Sequence, residues 1–334
     1  MLRFGVVGTS WITDEYIKGA EDTGLWRLEA VYSRTMKRAE EYAAKKAAPN
    51  CFDSIEAMAA SDKIDAVYIA GPNMLHYEHS KIFLKSGKHV ICEKPLTAQA
   101  HRLSELQNIA DENGLVFLEA MMYMHLPQRK KLKTALAEIG EITMAKLDFC
   151  QRSSKYDSYL RGELPNIFNP AMETGAFMDL GVYTVYPALD IFGLPRSVSA
   201  DAIMLKSGAD AEGTVTMKYP ERLVTMTYSK VGQAAAGSEF QGKNGTVYVK
   251  SISRLEGIEI IKNNGEKTLL HGEDEKSDLM GCEAADFYRF IKNPAETAEE
   301  YKGCAEMSLK VSRFMEETRA KLGIKFKSDK GGKG

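Results

Sequence analysis

The chain opens on an apolar run, Met1-Leu2-Arg3-Phe4-Gly5-Val6-Val7, that stops at Gly8. Up to about residue 120, short runs of this kind alternate with amphipathic stretches, which predicts a parallel sheet with crossover helices. The predicted strands are Arg3–Val7, Leu28–Tyr32, Ala66–Ala70, His89–Cys92 and Val116–Glu119. Helical periodicity covers Met36–Lys46, Tyr77–Ser86 and Gln99–Asn113, and Gly87 and Gly114 stand where the last two should end. After Ala120 the texture changes. Pro127 opens a helix to about Glu138, Ile142–Cys150 alternates as a strand, and a loop-rich stretch runs from Gln151 to Glu173. A helix is predicted over Gly175–Phe192. Strand-like runs follow at Val198–Leu205, Gly213–Lys218, Leu223–Tyr228, Gly245–Val249 and Ile258–Ile261, joined by short turns that imply a mostly antiparallel sheet. Helical patterns close the chain at about Glu283–Ile291 and Thr297–Leu322. The expected organisation is an α/β domain over 1–120, an α+β domain over 121–326, and a solvated, glycine-rich polar tail over 327–334.

At 334 residues the chain has room for two domains, and 44% hydrophobic with 27% charged residues is ordinary for a globular protein. A formal net charge of −2 offers no electrostatic case for nucleic acid or an anionic membrane as partner. No apolar stretch reaches the roughly 18 residues of a spanning helix, and the N-terminus enters a strand without a signal-peptide pattern. The five cysteines, Cys51, Cys92, Cys150, Cys282 and Cys304, are odd in number and form no C-x-x-C pair. Reduced thiols in a cytoplasm fit them best, with Cys92 and Cys150 as small core residues. No metal site is expected.

The candidate chemistry falls at strand ends. In a parallel sheet, ligands bind in the crevice outside the carboxyl ends of the strands. Gly8-Thr9-Ser10-Trp11-Ile12-Thr13 lies between the first strand and the first helix, the place of a pyrophosphate-binding turn. It keeps the tight-turn glycine but has Ser10 and Thr13 in place of the later small residues. Ser33-Arg34 ends the second strand, where an acid would hold a ribose 2′-hydroxyl. Arg34, with Lys37 and Arg38 nearby, suits a 2′-phosphate instead, and positive charge at a helix start is otherwise mildly unfavourable. Gly71-Pro72-Asn73 points backbone and Asn73 at the same crevice; His76 either joins them or only satisfies the helix start. Met121, Met122 and Tyr123 either line a pocket or belong to the core. Lys88-His89-Val90-Ile91-Cys92 leads into Glu93-Lys94-Pro95, and the proline holds Lys94 at a bend facing the crevice. Asp179 and Tyr183 are four residues apart on one face of a mostly buried helix, where a carboxylate needs a partner; Lys94 is one candidate.

Taken in order, Gly8-Thr9-Ser10-Trp11-Ile12, Pro72-Asn73-x-x-His76, Gly87-Lys88-His89-Val90-x-x-Glu93-Lys94-Pro95 and Gly175-Ala176-x-x-Asp179-x-Gly181-x-Tyr183 resemble the glucose-fructose oxidoreductase / inositol dehydrogenase / rhizopine catabolism (Gfo/Idh/MocA) family over nearly the whole chain. The resemblance implies an N-terminal Rossmann domain with a doubly wound parallel sheet, then an α+β domain with a large, mostly antiparallel sheet. Many members oligomerise through the open face of that sheet, so a homo-dimer or tetramer is expected. It also implies Lys94 as catalytic lysine, with Asp179 and Tyr183 in the second catalytic motif. Tyr183, where many members have histidine, and Glu119-Ala120-Met121-Met122-Tyr123 resemble the branch of dihydrodiol and NADP-dependent xylose dehydrogenases. Met124 where relatives often have arginine, and Glu173-Thr174 in place of glycines, depart from the family pattern.

The expected function is therefore hydride transfer between a nicotinamide cofactor, NADP(H) favoured and NAD(H) possible, and a sugar-, polyol- or dihydrodiol-like secondary alcohol. Cofactor would be held by Gly8, Thr9, Ser10, Trp11, Ile12, Ser33, Arg34, Arg38, Gly71, Asn73, His76, Glu93 and Lys94. Substrate would meet Lys94, Met122, Tyr123, Asp179 and Tyr183. A lysine or tyrosine at the reacting oxygen takes the hydroxyl proton if its pKa is brought towards the working pH. Two alternatives are a non-catalytic sensor of dinucleotide and sugar, which has no need of an intact Lys94/Asp179/Tyr183 set, and NAD-assisted glycoside cleavage without net cofactor reduction.

Overall fold

The computed structural model describes residues 1–331, which divide into two compact units. The first comprises Met1–His125 and Glu275–Leu309; the second comprises Leu126–Asp274 and the chain from Lys310 onward. Among the described residues, no helix is long and apolar enough to cross a membrane.

The first unit carries a six-stranded parallel sheet built from β1 (Leu2–Val7), β2 (Trp26–Tyr32), β3 (Asn50–Phe52), β4 (Ala66–Ile69), β5 (His89–Glu93) and β6 (Phe117–Ala120) in the order β3-β2-β1-β4-β5-β6. The crossovers are α1 (Trp11–Asp22), α2 (Met36–Lys46), α3 (Ile55–Ala60), α4 (Asn73–Lys85) and α5 (Ala100–Glu112), and α6 (Met122–His125) follows the last strand. β4 is buried along its whole length, as a strand covered on both faces must be, and this is why it reads as an unbroken apolar run. Val7, Val67, Ile69, Val90, Cys92, Phe83 and Leu103 belong to one core cluster between sheet and helices. Strand order reverses between β1 and β4, and that switch point opens a crevice at their carboxyl ends. The sequence pattern missed β3 and α3: three half-buried strand residues and six helical ones are too short to show a period.

The second unit carries α7 (Gln128–Glu138), α8 (Tyr156–Leu160), α9 (Val182–Phe192) and an eight-stranded sheet. Its strands are β7 (Ile142–Cys150), β8 (Ser197–Met204), β9 (Asp210–Lys218), β10 (Leu223–Ser229), β11 (Ser238–Gly242), β12 (Gly245–Ser251), β13 (Glu256–Lys262) and β14 (Lys267–His271), in the order β14-β13-β12-β11-β7-β10-β9-β8. β7 and β10 pair in parallel and the other neighbours are antiparallel, so the sheet is mostly antiparallel as expected. β11 and β14 escaped the sequence reading because they are short and polar.

Two boundaries differ from expectation. α10 (Lys276–Lys292) and α11 (Pro294–Lys321) follow the second sheet in sequence, yet α10 and the part of α11 up to Leu309 count with the first unit. Trp26 on β2 donates its Nε1–H to the Ala284 carbonyl at 2.8 Å and stacks on Phe287 with ring centroids 5.3 Å apart. Gln107 on α5 donates to the Ala305 carbonyl at 2.9 Å. An amphipathic helix does not state which sheet it will cover, so the return is invisible in periodicity. Lys327–Gly331, expected within a solvated tail, forms a 3-10 turn whose Asp329 accepts Arg319 Nη1 and Nη2, each at 2.7 Å; the rest of that predicted tail, 332–334, lies outside the described residues. Cys92 is buried as expected, whereas Cys150 is half-buried, with burial and the neighbouring Asp148 carboxylate pushing its thiol up to about 12.

Candidate active site

In the first unit the strand-end residues form a row. Gly8, Ser33 and Lys94 directly follow β1, β2 and β5, and Gly71 lies two residues past β4; in a parallel sheet all four stand at the same edge. Gly8 has φ +113°, and a Cβ there would lie 2.6 Å from the carbonyl oxygen of Ala70, just past β4, so the turn between β1 and α1 admits only glycine. Thr9 and Ser10 then lead into α1. Ser10 is the N-cap, but among the described residues its side chain caps no N–H and meets Thr13 Oγ1 at 3.5 Å, so it does not cover the positive end of the helix. Trp11 is exposed to 67% and Ile12 half-buried.

The neighbouring loop supplies positive charge. Ser33 is buried, its N–H bonded to the Phe52 carbonyl at 3.1 Å, while Arg34 and Arg38 are exposed. Arg38 Nε donates to Thr9 Oγ1 at 3.0 Å, tying the start of α2 to the glycine turn. No acid occupies the first turn of α2, which holds Arg38 and follows Arg34 by two residues, so cationic side chains gather at the positive end of a helix without a local counter-charge.

The Lys94 bend is held from three sides. The Lys94–Pro95 peptide is cis, and the Pro95 carbonyl lies 3.0 Å from His76 Nδ1. His76 Nε2 meets the Gly71 carbonyl at 3.0 Å, so both ring nitrogens are engaged with the backbone of the two strand-end loops. His76, expected among cofactor-binding residues or at a helix start, is a buried clamp between the Gly71 and Pro95 loops; burial lowers its pKa against the pull of both carbonyls. Glu119 on β6 accepts the Leu96 N–H at 3.3 Å. Glu93, the last residue of β5, accepts the buried Tyr68 hydroxyl at 2.7 Å, and Tyr68 stacks on Tyr16 with centroids 3.8 Å apart. Asn73 is the first residue of α4 and half-buried at the same edge. Met122 and Tyr123 are buried, with Met122 Sδ 3.0 Å from Lys276 Nζ, which favours the packing side of the alternative left open for them.

In the second unit, Asp179 lies in a π turn, Phe177–Gly181, that runs directly into α9 with Tyr183 in its first turn. The sequence pattern predicted one helix here; the single π turn rotates Asp179 relative to the α register and is a feature common at functional sites. Asp179 pairs with Lys230, whose ammonium is buried and also donates to the Ile167 carbonyl at 3.1 Å. Lys230 therefore supplies a partner that Lys94 was a candidate to supply. The Tyr183 ring meets Phe149 on β7 edge-on, with centroids 5.1 Å apart. Glu173, which departs from the glycine expected before Gly175-Ala176, takes a left-handed φ of +57°. Thr174 follows it and donates its hydroxyl to the Asn166 carbonyl at 2.6 Å.

Comparison with known proteins bears directly on these motifs. Residues 2–121 match the description "Oxidoreductase family, NAD-binding Rossmann fold", and residues 130–248 match the GFO/IDH/MocA C-terminal domain. This chain belongs to the GFO/IDH/MocA oxidoreductase family. Within it, the chain is 40% identical to scyllo-inositol 2-dehydrogenase (NADP(+)) of Bacillus subtilis over 98% of this chain and 99% of that one. It is 24% identical to trans-1,2-dihydrobenzene-1,2-diol dehydrogenase of Mus musculus over the same shares. Among solved structures it resembles KijD10, a 3-ketoreductase of Actinomadura kijaniata crystallised with NADP and TDP-benzene, with TM-score 0.83, 23% identity and coverage of 96% and 98% of the two chains. Family membership makes the chain an oxidoreductase whose residues 2–121 match an NAD-binding Rossmann fold. Sequence reasoning missed Lys230. The signal was present, since Lys230 closes the apolar-alternating β10 much as Lys94 follows β5, but nothing in the sequence said that β10 ends beside the Asp179 turn.

Proposed function

We propose that this oxidoreductase transfers a hydride reversibly between NADP(H), in preference to NAD(H), and a cyclic polyol or sugar-like secondary alcohol, with Lys94, Asp179 and Tyr183 carrying the proton chemistry. The observation that carries this reading is the position of Lys94: at the end of β5, just before Pro95 and Leu96, which His76 and Glu119 hold, in the same strand-end row as the Gly8 turn. The residues present fit a phosphorylated dinucleotide, since Gly8 leaves space that a Cβ would fill and Arg34 and Arg38 offer planar donor forks for a 2′-phosphate. The relatives support the same choice: one is named as NADP(+)-dependent and acts on scyllo-inositol, another on a dihydrodiol. When bound, the nicotinamide accepts or returns the hydride. Lys94 and Tyr183 hold and move the hydroxyl proton, and the Asp179 carboxylate, paired with Lys230, orients that exchange.

The test is a panel of inositols, aldoses and dihydrodiols offered with NADP and with NAD, followed by NADPH or NADH absorbance. Wild-type protein should reduce NADP with at least one cyclic polyol. Lys94→Met keeps much of the side-chain volume without the charge and should lower turnover by roughly 10²–10⁴-fold. NADPH affinity, read from quenching of the exposed Trp11, should change little, because the glycine turn is untouched. Wild-type turnover in Lys94→Met would make Lys94 structural and end this assignment.

A further inference from the structure

The turn that carries Asp179 is gripped by a buried carboxyl to which the proposed chemistry assigns no part. Asp210 opens β9 and is fully buried. Its Oδ2 accepts the Phe177 backbone N–H at 2.6 Å, and Phe177 is the first residue of the π turn. Its Oδ1 has no hydrogen-bond partner among the described residues and fills the space beside Gly175, where a Cβ would stand 1.9 Å away. Any larger residue at 175 would displace this carboxyl. The same pair of strands brings in Lys230: its backbone N–H bonds the Ala211 carbonyl at 2.9 Å, one residue past Asp210, and its ammonium reaches Asp179. Pairing of β9 with β10 thus sets both the carboxyl that holds the backbone of the turn and the ammonium that holds its functional side chain.

We propose that Asp210 and Lys230 are positioning residues for Asp179 and Tyr183: Asp210 fixes the π turn through the Phe177 N–H, and Lys230 fixes the Asp179 carboxylate through their ion pair. This inference rests on the hydride-transfer reading for its catalytic consequence but not for its structural one. The buried ammonium of Lys230 pairs with Asp179 and acts on the Asp210 carboxyl through its charge alone. The charged or titratable groups around Asp210 are Lys230 and Asp179, Tyr228 on β10, and Glu212 two residues further along β9, which bonds Ser229 Oγ. Burial raises Asp210 to about 6; the Phe177 N–H and Lys230 oppose that rise and the Asp179 charge adds to it. Ionised Asp210 gives Phe177 a charge-assisted bond at the positive end of the helical segment, which protonation weakens. Turnover should therefore fall as the pH drops through about 6, without a matching fall in cofactor affinity.

The experiment compares wild type, Asp210→Asn and Lys230→Met in two ways. The first is amide hydrogen exchange over residues 177–183. The second is kcat and KM between pH 5 and 8 with the alcohol identified by the panel, with NADPH affinity read from Trp11. Both variants should exchange faster over 177–183 and lose roughly 10–100-fold in kcat, as expected when a reacting group shifts by about an ångström. Asp210→Asn keeps a neutral acceptor for the Phe177 N–H but cannot ionise, so its kcat should be flat where wild type shows its acid limb. NADPH affinity should stay at the wild-type value. An Asp210→Asn protein with wild-type kcat and an unchanged acid limb overturns the proposal, as does faster exchange with unaltered kcat. Should wild type turn over none of the alcohols, the hydride-transfer reading fails by itself, and exchange over 177–183 still decides whether Asp210 holds the turn. The two variants are independent, so if one does not fold the other decides.

Discussion

Lys94 was legible in the sequence because a single rule locates it. A lysine directly after a buried parallel strand, followed by proline, stands at the ligand-binding edge. Gly8 was legible for the same reason, and its φ of +113° shows why no other residue serves. His76 was only half legible: its loop was, but its two carbonyl partners come from Gly71 and Pro95, and the second depends on the path of the chain after β5. Lys230 was not legible as the partner of Asp179, since a pair 51 residues apart requires the strand order. At this scale the cofactor preference yields a direct prediction. Arg34 is exposed at the end of β2 with no shielding acid in the first turn of α2. Arg34→Ala removes a guanidinium able to grip a 2′-phosphate through two charge-assisted bonds, which amounts to roughly 1.5–3 kcal/mol for a bond to a charged group. NADPH should bind about 10-fold or more weaker in the variant, and NADH nearly as in wild type. Equal losses for the two cofactors, measured by Trp11 quenching, would show that Arg34 does not read the phosphate.

Among the elements, regular ones were read well and special ones were not. α2 was placed at its observed bounds because its apolar positions recur with helical spacing and bury Ala39, Tyr42 and Ala43. The Gly175–Phe192 segment was read as one helix, because hydrophobic periodicity carries no signal for the extra residue of a π turn, and the carboxyl that accepts the turn's first N–H, Asp210, is remote in sequence. Element ends store strain that is easier to test. α2 ends at Ala47, an exposed residue with φ +55° and ψ +29°, in the left-handed region that costs an L side chain about 1–2 kcal/mol. Glycine avoids that cost but has more freedom to lose on folding, by about 0.4–1 kcal/mol. Ala47→Gly should therefore stabilise the first unit by roughly 0.5–1 kcal/mol, which calorimetry would read as a rise in Tm of about 1–3 °C. A lower Tm would mean that the αL end contributes no strain.

On the scale of the whole molecule, the sequence yielded both sheets but not the return of α10 to the first unit, because that assignment depends on Trp26 meeting Ala284 and Phe287 across most of the chain. Proton coupling is likewise a property of the assembled units. In the first unit, burial lowers His79 and His89 to about 4, and His89 Nδ1 accepts the Val116 N–H at 2.9 Å, a bond that requires this nitrogen unprotonated. On unfolding, each gains a proton between its native value and the ordinary histidine value, so each makes stability rise with pH from about 4 to 6.5. Glu283 acts with the opposite sign. Burial, with the Glu93 charge nearby, raises its pKa well above normal, so its contribution to stability is present at low pH and is lost as pH rises above the ordinary glutamate range. The wild-type curve is thus a sum of opposing slopes and conceals each of them. His89→Gln isolates one: the amide oxygen can accept the Val116 N–H, but the side chain cannot titrate. The Tm of His89→Gln minus that of wild type should grow as the pH is lowered from 6.5 to 4, because only the wild type must keep that imidazole neutral. A difference that stays constant across this window would mean that His89 titrates alike in the folded and unfolded chain, and that its contact with Val116 carries no proton linkage.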